Sequence, residues 1–445
     1  MLGIIRKYNK FLLKLSPQRN LVYGFLAYNL VGFLLLCLPI ARVGELSVID
    51  SLFAATSAIS TTGLLTVGIQ DYFSTFGHVV LLAMFQVGGI GYMTFTTYIL
   101  LNTSRKSGLW RQKILKAAFS LPEKMKIRDF LRSVIVFTIV MELVGTILFY
   151  IAFRNEGWGF WQTLWNSLFH SVSAFCTAGF SLFGNGFTDY VSNGLINFTI
   201  CLLAIGGSLG FIVVTDLWLI IAKRKHKMSF TTKVIFFGFL ILLTFGTLSL
   251  YFDEPTIIAL NGAARFYAAF FQTMTAMTTV GFNTMDIGAL SLPVLFTIIF
   301  LMYVGASPSG TSGGLKITTF TAVIAYLRST LKASEEVRFL GRYIPAERVS
   351  IALSTFIFYI GIVFAGILLL THSEDFALTK IMFEVLSALG TVGLSMGITG
   401  DLTLFGKIVV ILLMFIGRLG VLTFGLALST GYDNTKEALS VDIAV

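Results

Sequence analysis

The sequence predicts an all-α polytopic membrane protein: four repeats, each a span, a pore helix and a second span, in a pseudo-fourfold arrangement around one pore, with eight transmembrane helices. Three observations carry this reading. The 445 residues are 56% hydrophobic and only 12% charged, with 43 Phe, which is too apolar for a soluble chain of this length. Eight apolar runs reach bilayer-spanning length, near residues 21–40, 76–101, 132–153, 194–222, 233–252, 289–327, 350–371 and 403–429. An eleven-residue pattern, F-x-x-x-[ST]-A-x-x-T-x-G, occurs four times, each copy between two of those runs. The copies are FAATSAISTTG ending at Gly63, FHSVSAFCTAG at Gly179, FQTMTAMTTVG at Gly281 and FEVLSALGTVG at Gly393.

The terminal glycines Gly63, Gly179, Gly281 and Gly393 fall 116, 102 and 112 residues apart, a domain-sized period rather than a solenoid period. Each copy lies in a segment of modest hydrophobicity, so the unit reads as span, short re-entrant pore helix, filter loop, span. The units are expected at 21–104, 130–224, 231–330 and 348–430. Residues 1–20, basic and weakly amphipathic with no small-residue cleavage site after them, are expected as a cytoplasmic or interfacial helix, and 431–445 as a cytoplasmic tail.

Eight crossings place both termini and the three linkers on one side. That side collects 25 of the 32 Lys and Arg, clustered before Leu21, from Arg105 to Arg132, from Lys223 to Lys233, from Arg328 to Arg348 and at Lys436. Only Arg42, Arg154, Arg265, Lys380 and Lys407 fall on the other, while Lys316 and Arg418 lie within spans. Basic loops stay cytoplasmic, so both termini are expected in the cytoplasm. The net charge of +10 is explained by this asymmetry and needs no nucleic-acid partner. The clusters Arg105-Lys106 and Lys223 to Lys227 read first as solvated anchoring loops, with contact to anionic lipid heads or to an acidic partner surface as the alternatives.

The T-x-G ending of each copy is a reduced form of the T-V-G-Y-G loop of potassium pores, in which carbonyls from four loops replace the hydration shell of the ion. The candidate filter is therefore Thr61-Thr62-Gly63, Thr177-Ala178-Gly179, Thr279-Val280-Gly281 and Thr391-Val392-Gly393. Glycine permits positive φ, so successive carbonyls can turn to the axis, and a side chain there would fill the path. The threonines offer a hydroxyl as well as a carbonyl at the inner end. Ala58, Ala174, Ala276 and Ala388 let the pore helices pack closely. The loops lack the second glycine and the Tyr, which predicts fewer aligned carbonyl sites than in a true potassium channel.

After each filter comes an aspartate, Asp71, Asp189, Asp286 or Asp401, placed to form a ring of negative charge at an extracellular mouth; turn chemistry is the alternative role. The third unit differs from the others. Its second span is interrupted by Gly305-Ala306-Ser307-Pro308-Ser309-Gly310-Thr311-Ser312-Gly313-Gly314, which cannot remain helical at membrane depth and reads as a mobile constriction beneath the filter. Arg418 lies midway along the last span, an intramembrane charge expected either to donate to that segment or to pair with Glu142. The small residues Gly88 to Gly91 and Gly206 to Gly210 are expected to serve close helix packing. Glu384 and His170 follow the repeat Phe in their pore helices, where Glu384 is placed to favour a helix N-terminus and His170 carries no assigned role.

Enzyme classes find little support. Gly310-Thr311-Ser312-Gly313-Gly314 matches short serine-hydrolase patterns, so an intramembrane serine protease using Ser312 is a remote alternative. Its nucleophile needs a base, and the histidines, His78, His170, His226 and His372, all fall in other segments. Cys37, Cys176 and Cys201 suggest neither a disulfide framework nor a metal site, and no phosphate-cradling or dinucleotide motif is present.

Four units with one T-x-G each, a broken helix in the third and an arginine in the last span together resemble the Trk/Ktr/HKT potassium transporter superfamily over nearly the whole chain, most closely the bacterial Ktr-type membrane subunit. The resemblance implies that the four glycines line a selectivity filter, that 305–314 is an intramembrane gate and that Arg418 is the basic residue beneath it. Glycine at all four positions implies potassium preference; a sodium-coupled symporter and a sodium pore remain the competing transport readings. It further implies a bacterial plasma-membrane homodimer and a separate cytoplasmic ring of nucleotide-binding regulatory subunits. No cofactor is expected in this chain, and K+ is its substrate.

Overall fold

The computed structural model describes residues 17–91, 127–223, 227–305 and 307–429. Within them the four sequence copies become four similar helical units. The first holds α1 (Pro17–Leu36), pore helix α2 (Val48–Ser60) and α3 (Thr75–Ile90). The second holds α4 (Ile127–Phe153), pore helix α5 (Phe160–Phe175), α6 (Gly194–Ser208) and α7 (Phe211–Ile221). The third holds α8 (Phe230–Asp253), pore helix α9 (Ala263–Thr278), α10 (Leu292–Tyr303) and α11 (Ile317–Leu331). The fourth holds α12 (Ala346–Ser373), pore helix α13 (Leu378–Gly390), α14 (Leu404–Leu419) and α15 (Val421–Leu428). The linker before α12 carries a small antiparallel hairpin, β1 (Arg338–Phe339) and β2 (Arg342–Tyr343).

Local chemistry sets the starts of these helices. Side chains of Ser47, Ser74, Ser229 and Thr403 accept from the first-turn N–H groups of α2, α3, α8 and α14, satisfying donors that a helix leaves open. The first spans carry exposed apolar faces, such as Leu143, Ile147 and Ile151 on α4 and Ile357, Phe364 and Leu368 on α12. Faces that broad are at home in hydrocarbon. The pore helices are the reverse. The repeat phenylalanines Phe53, Phe169, Phe271 and Phe383, and the repeat alanines Ala58, Ala174, Ala276 and Ala388, are fully buried. Burying each Phe stabilises by roughly 2–3 kcal/mol.

Packing between units is cyclic. The second span of each unit lies against the pore helix of the next: α3 on α5, α6 on α9, α10 on α13, and α14 back on α2. The first and last described helices meet on one face, where Arg19 Nε donates to Ala427 O at 2.9 Å. This is called the terminal face below.

Four helices, α1, α4, α8 and α12, are long and apolar enough to cross a membrane alone, and the bent pairs α6–α7 and α14–α15 raise the number to six among the described residues. Two expectations are corrected. The spans expected at 194–222 and 403–429 are not continuous, for they bend by 93° at Gly210 and by 99° at Gly420. The cause is a glycine at positive φ, 86° and 84°, and α3 ends on the same device at Gly91, φ 85°. Small residues expected only to ease packing thus also redirect the backbone. The first span is already helical at Pro17, ahead of the start expected at residue 21. Residues 1–16, the linker from 92 to 126, 224–226, Ala306 and 430–445 lie outside the described residues, and with them most of the expected N-terminal helix, the Arg105-Lys106 cluster and the tail.

Candidate ion pathway

The four pore helices end in the same turn. Thr61, Thr177, Thr279 and Thr391 all take the left-handed conformation, with φ between 49° and 58°, and the glycine two residues later is also at positive φ in every unit. For a β-branched residue this conformation costs about 1–2 kcal/mol, so the same strain at four sites marks an over-determined structure. What offsets it repeats too: the N–H of Thr62, Ala178, Val280 and Val392 donates to the carbonyl of Ser57, Ser173, Thr275 and Ser387 at 2.8–3.2 Å.

The glycines close a ring. A Cβ on Gly63 would stand 2.7 Å from Ala178 O, and one on Gly179 2.7 Å from Val280 O. A Cβ on Gly281 would collide with Val392 O and one on Gly393 with Thr62 O. Each glycine therefore faces the backbone of the next unit, and the fourth faces the first. No side chain fits between them.

The hydroxyl of the [ST] position in the repeat braces this ring from behind. Ser57 and Ser387 Oγ accept from the N–H of Gly63 and Gly393, both at 3.1 Å. Ser173 Oγ and Thr275 Oγ1 donate instead to the carbonyls of Phe180 and Phe282, at 2.9 and 2.7 Å. A second brace holds the chain leaving the ring in three units. His170 Nε2 accepts from Leu182 N–H at 3.1 Å, and Glu384 accepts from Ser395 Oγ at 2.8 Å and Thr399 Oγ1 at 2.5 Å. Gln272, with its amide turned to suit its neighbours, accepts from Thr284 N–H at 2.9 Å and Met285 N–H at 3.1 Å. The first unit has Ala54 there. Sequence reading gave Glu384 only a helix N-terminal role and His170 none; the signal was their shared place after the repeat Phe.

Beyond the ring, Asp71, Asp189, Asp286 and Asp401 are all exposed. Asp286 caps a short turn by accepting from Gly288 N–H at 2.9 Å, and Asp189 accepts from Asn185 Nδ2 at 2.7 Å. Both contacts are turn chemistry.

Inside the ring lies the interrupting segment, whose residues Gly305, Ser307, Pro308, Ser309, Gly310, Thr311, Ser312, Gly313 and Gly314 are described. It docks on the bend between α6 and α7. Ser307 Oγ donates to Leu209 O at 2.5 Å, Thr311 N–H donates to Gly207 O at 3.2 Å, and Ser309 O accepts from Phe211 N–H at 3.1 Å. The bend thereby gains partners for backbone groups that helix termination leaves open. Thr311 reaches the ring itself: Thr61 Oγ1 donates to Thr311 O at 3.3 Å, and the Thr177 and Thr311 hydroxyls are in hydrogen-bond contact at 3.1 Å.

Two cations grip the same segment. Arg418 donates from Nη1 to Thr311 O and from Nη2 to Gly88 O and, at 3.2 Å, to Gly89 O. Those glycine carbonyls sit at the C-terminal end of α3, where the helix dipole favours a cation. Lys316 Nζ donates to Ser312 O at 2.6 Å and Gly313 O at 2.7 Å. Three successive carbonyls, 311 to 313, are thus occupied by side-chain cations. Lys316 had been placed only as lying within a span; its offset of three and four residues from those carbonyls was the available signal. Glu142 does not pair with Arg418, because it accepts from Gln86 Nε2 at 2.7 Å. Arg418, Lys316 and the segment line a cavity of about 660 Å³ together with Arg348 and Thr423.

A family model of cation transport proteins, TrkH, matches residues 40–435. The chain belongs to the TrkH cation transport family. It is accordingly a multi-pass membrane cation transporter and not an enzyme, and Ser312 lines the cavity shared with Arg418 and Lys316. Among TrkH relatives, the Ktr system potassium uptake protein B of Bacillus subtilis is 34% identical over 417 residues, covering 92% of both chains. Its counterpart from Vibrio alginolyticus is 34% identical over 419 residues, 93% of this chain and 91% of that one. The potassium/sodium uptake protein NtpJ of Enterococcus hirae is 33% identical over 420 residues, 92% of each. The crystal structure of the potassium transporter TrkH from Vibrio parahaemolyticus superposes with a TM-score of 0.72 at 19% identity, covering 91% of this chain and 84% of that one. That likeness is one of fold.

Proposed function

We propose that this TrkH-family chain takes up potassium across the bacterial plasma membrane through the ring of Thr61 to Gly63, Thr177 to Gly179, Thr279 to Gly281 and Thr391 to Gly393, with the 305–314 segment as gate. The observation that carries the reading is the closed glycine ring, in which each filter loop abuts the next and the axis is lined by backbone. Carbonyls held this way replace the hydration shell of a monovalent cation. The terminal face is cytoplasmic, as the basic linkers require. Arg418 and Lys316 hold the segment across the inner end, and Asp71, Asp189, Asp286 and Asp401 raise cation concentration at the outer end. Inward flux is driven by the membrane potential, about 2.3 kcal/mol per unit charge per 100 mV. In this reading K+ is the substrate and the chain holds no resident cofactor. Two copies pair as a homodimer, and a separate nucleotide-binding polypeptide on the cytoplasmic face drives the gate.

Similarity to a protein named for potassium and sodium uptake supports a second reading, sodium-coupled or sodium-selective transport by the same ring. Both readings meet one experiment: K+ and Na+ uptake into proteoliposomes containing the wild type or Gly281→Ser. Any Cβ on Gly281 presses on Val392 O, so the substitution distorts two adjoining loops. Selective K+ uptake that falls or relaxes toward Na+ is the expected result. Flux indifferent to Gly281 rejects the filter, and flux requiring both ions favours coupling.

A further inference from the structure

One position behind the ring repeats in all four units and is filled differently in each: Ala54, His170, Gln272 and Glu384, the residue after the repeat Phe. The three polar members are fully buried. Each turns its acceptors to the chain that has just left the ring: His170 to Leu182, Gln272 to Thr284 and Met285, Glu384 to Ser395 and Thr399. An imidazole, an amide and a carboxyl have no charge in common. What they share is the capacity to accept a hydrogen bond, and buried acceptors with their donors in place tie the outgoing chain to the pore helix.

The first unit lacks this tie. Ala54 is buried and offers no acceptor. Thr66 stands three residues past Gly63, as Thr284 stands three past Gly281, and its buried hydroxyl has no hydrogen-bond partner. The one carboxylate of α2, Asp50, is held by Ser47 and Lys407.

We propose that the position after the repeat Phe sets how sharply the ring separates K+ from Na+. His170, Gln272 and Glu384 are positioning residues that keep three loops from closing on the smaller ion, and the first loop is the pliable quarter of the ring. Carbonyls held at a fixed spacing replace the hydration shell of the larger ion better than that of the smaller. Selectivity is then set in part by side chains that never touch the ion. This rests on the pore reading above.

The test is uptake of K+ and of Na+ by the full-length protein in proteoliposomes, with the K+/Na+ ratio read beside the melting temperature. Glu384→Ala strands the hydroxyls of Ser395 and Thr399 and is expected to lower the ratio about tenfold; Glu384→Gln, which keeps an acceptor, restores most of it. Gln272→Met, close in volume and without the amide, is expected to lower the ratio about fivefold. A merely structural contact lowers the melting temperature and leaves the ratio alone in both, and that result overturns the proposal. Glu384→Gln behaving like Glu384→Ala overturns it too, by showing that charge acts rather than bracing. Ala54→Gln supplies the first unit with the acceptor that the third has, and the ratio is expected to rise about threefold. An unchanged or lower ratio in folded Ala54→Gln overturns the claim for the first loop. Where that variant does not fold, Thr66→Val decides: an unchanged ratio supports an idle hydroxyl, and a lowered one shows that the first loop is already held. Gly281→Ser in the same preparation separates the two readings. If it alters selectivity while the brace variants do not, the pore stands and only this inference fails.

Discussion

The residue that ties most together is Arg418, half-buried and shared between the end of α3 and the interrupting segment. Hydrogen bonds from a charged donor contribute about 1.5–3 kcal/mol each, so its removal is expected to release the segment. Arg418→Ala should raise cation flux roughly tenfold with an unchanged K+/Na+ ratio, because the filter loops are not altered. Unchanged flux in a folded protein would remove Arg418 from the gate. The position was visible in the sequence as a lone charge in an apolar span, and so were the four glycines. The left-handed threonines were not, since nothing in a threonine announces positive φ; that conformation is imposed by the hydrogen-bonded turn behind each one. Lys316 escaped for a related reason. A lysine near a glycine-rich stretch reads as an ordinary boundary residue until the backbone folds its carbonyls back over the ammonium.

At the scale of elements, the interruption in the third unit was legible because Pro308 and a cluster of glycines and serines break an apolar run. The bends in the second and fourth units were hidden. Gly210 and Gly420 stand among Leu209, Phe211, Leu419 and Val421, and a single glycine leaves the hydropathy of a span intact. The loops opposite the terminal face are held by carboxylates. Glu254, at the end of α8, is buried and accepts from the N–H and hydroxyl of both Thr256 and Ser291, at 2.8–3.2 Å. Glu374 does the same for Thr403 at the start of α14, at 3.0 and 2.5 Å. Burial alone would raise the Glu254 pKa, and donors from Ser291 and then Thr256 outweigh it, holding the carboxyl below its ordinary value. A depressed pKa contributes stability that is present above the ordinary glutamate pKa of about 4.3 and lost as pH falls through the lowered value. Glu254→Gln should therefore melt several degrees below wild type in detergent at pH 7, with the gap narrowing below pH 4. A gap independent of pH would show that the charge adds nothing.

For the whole molecule, closure of the ring depends on the seam between the last unit and the first. There Lys407 of α14 donates to Asp50 of α2 at 2.8 Å, with side chains only 15% and 13% exposed. Pairs this sheltered matter more than surface pairs, because removing one partner strands the other. Lys407→Met should lower stability by about 2 kcal/mol, and adding Asp50→Asn should recover part of it; strictly additive losses would show that the two side chains do not couple. The fourfold plan was readable from the spacing of the repeats. The cyclic handing of each pore helix to the span of the unit before it was not, since it depends on contacts between units that are distant in sequence.

That interruption occurs in a single unit, and this has a consequence for how such a pore can vary. Were the ring built from four identical chains, any loop entering the axis would enter four times and crowd itself out. Joining the units on one polypeptide frees three of them from carrying the loop and lets them become its socket: the bend at Gly210, the carbonyls of Gly88 and Gly89, and the arginine at 418. Symmetry is kept in the ring of glycines and abandoned in the segment that lies beneath it.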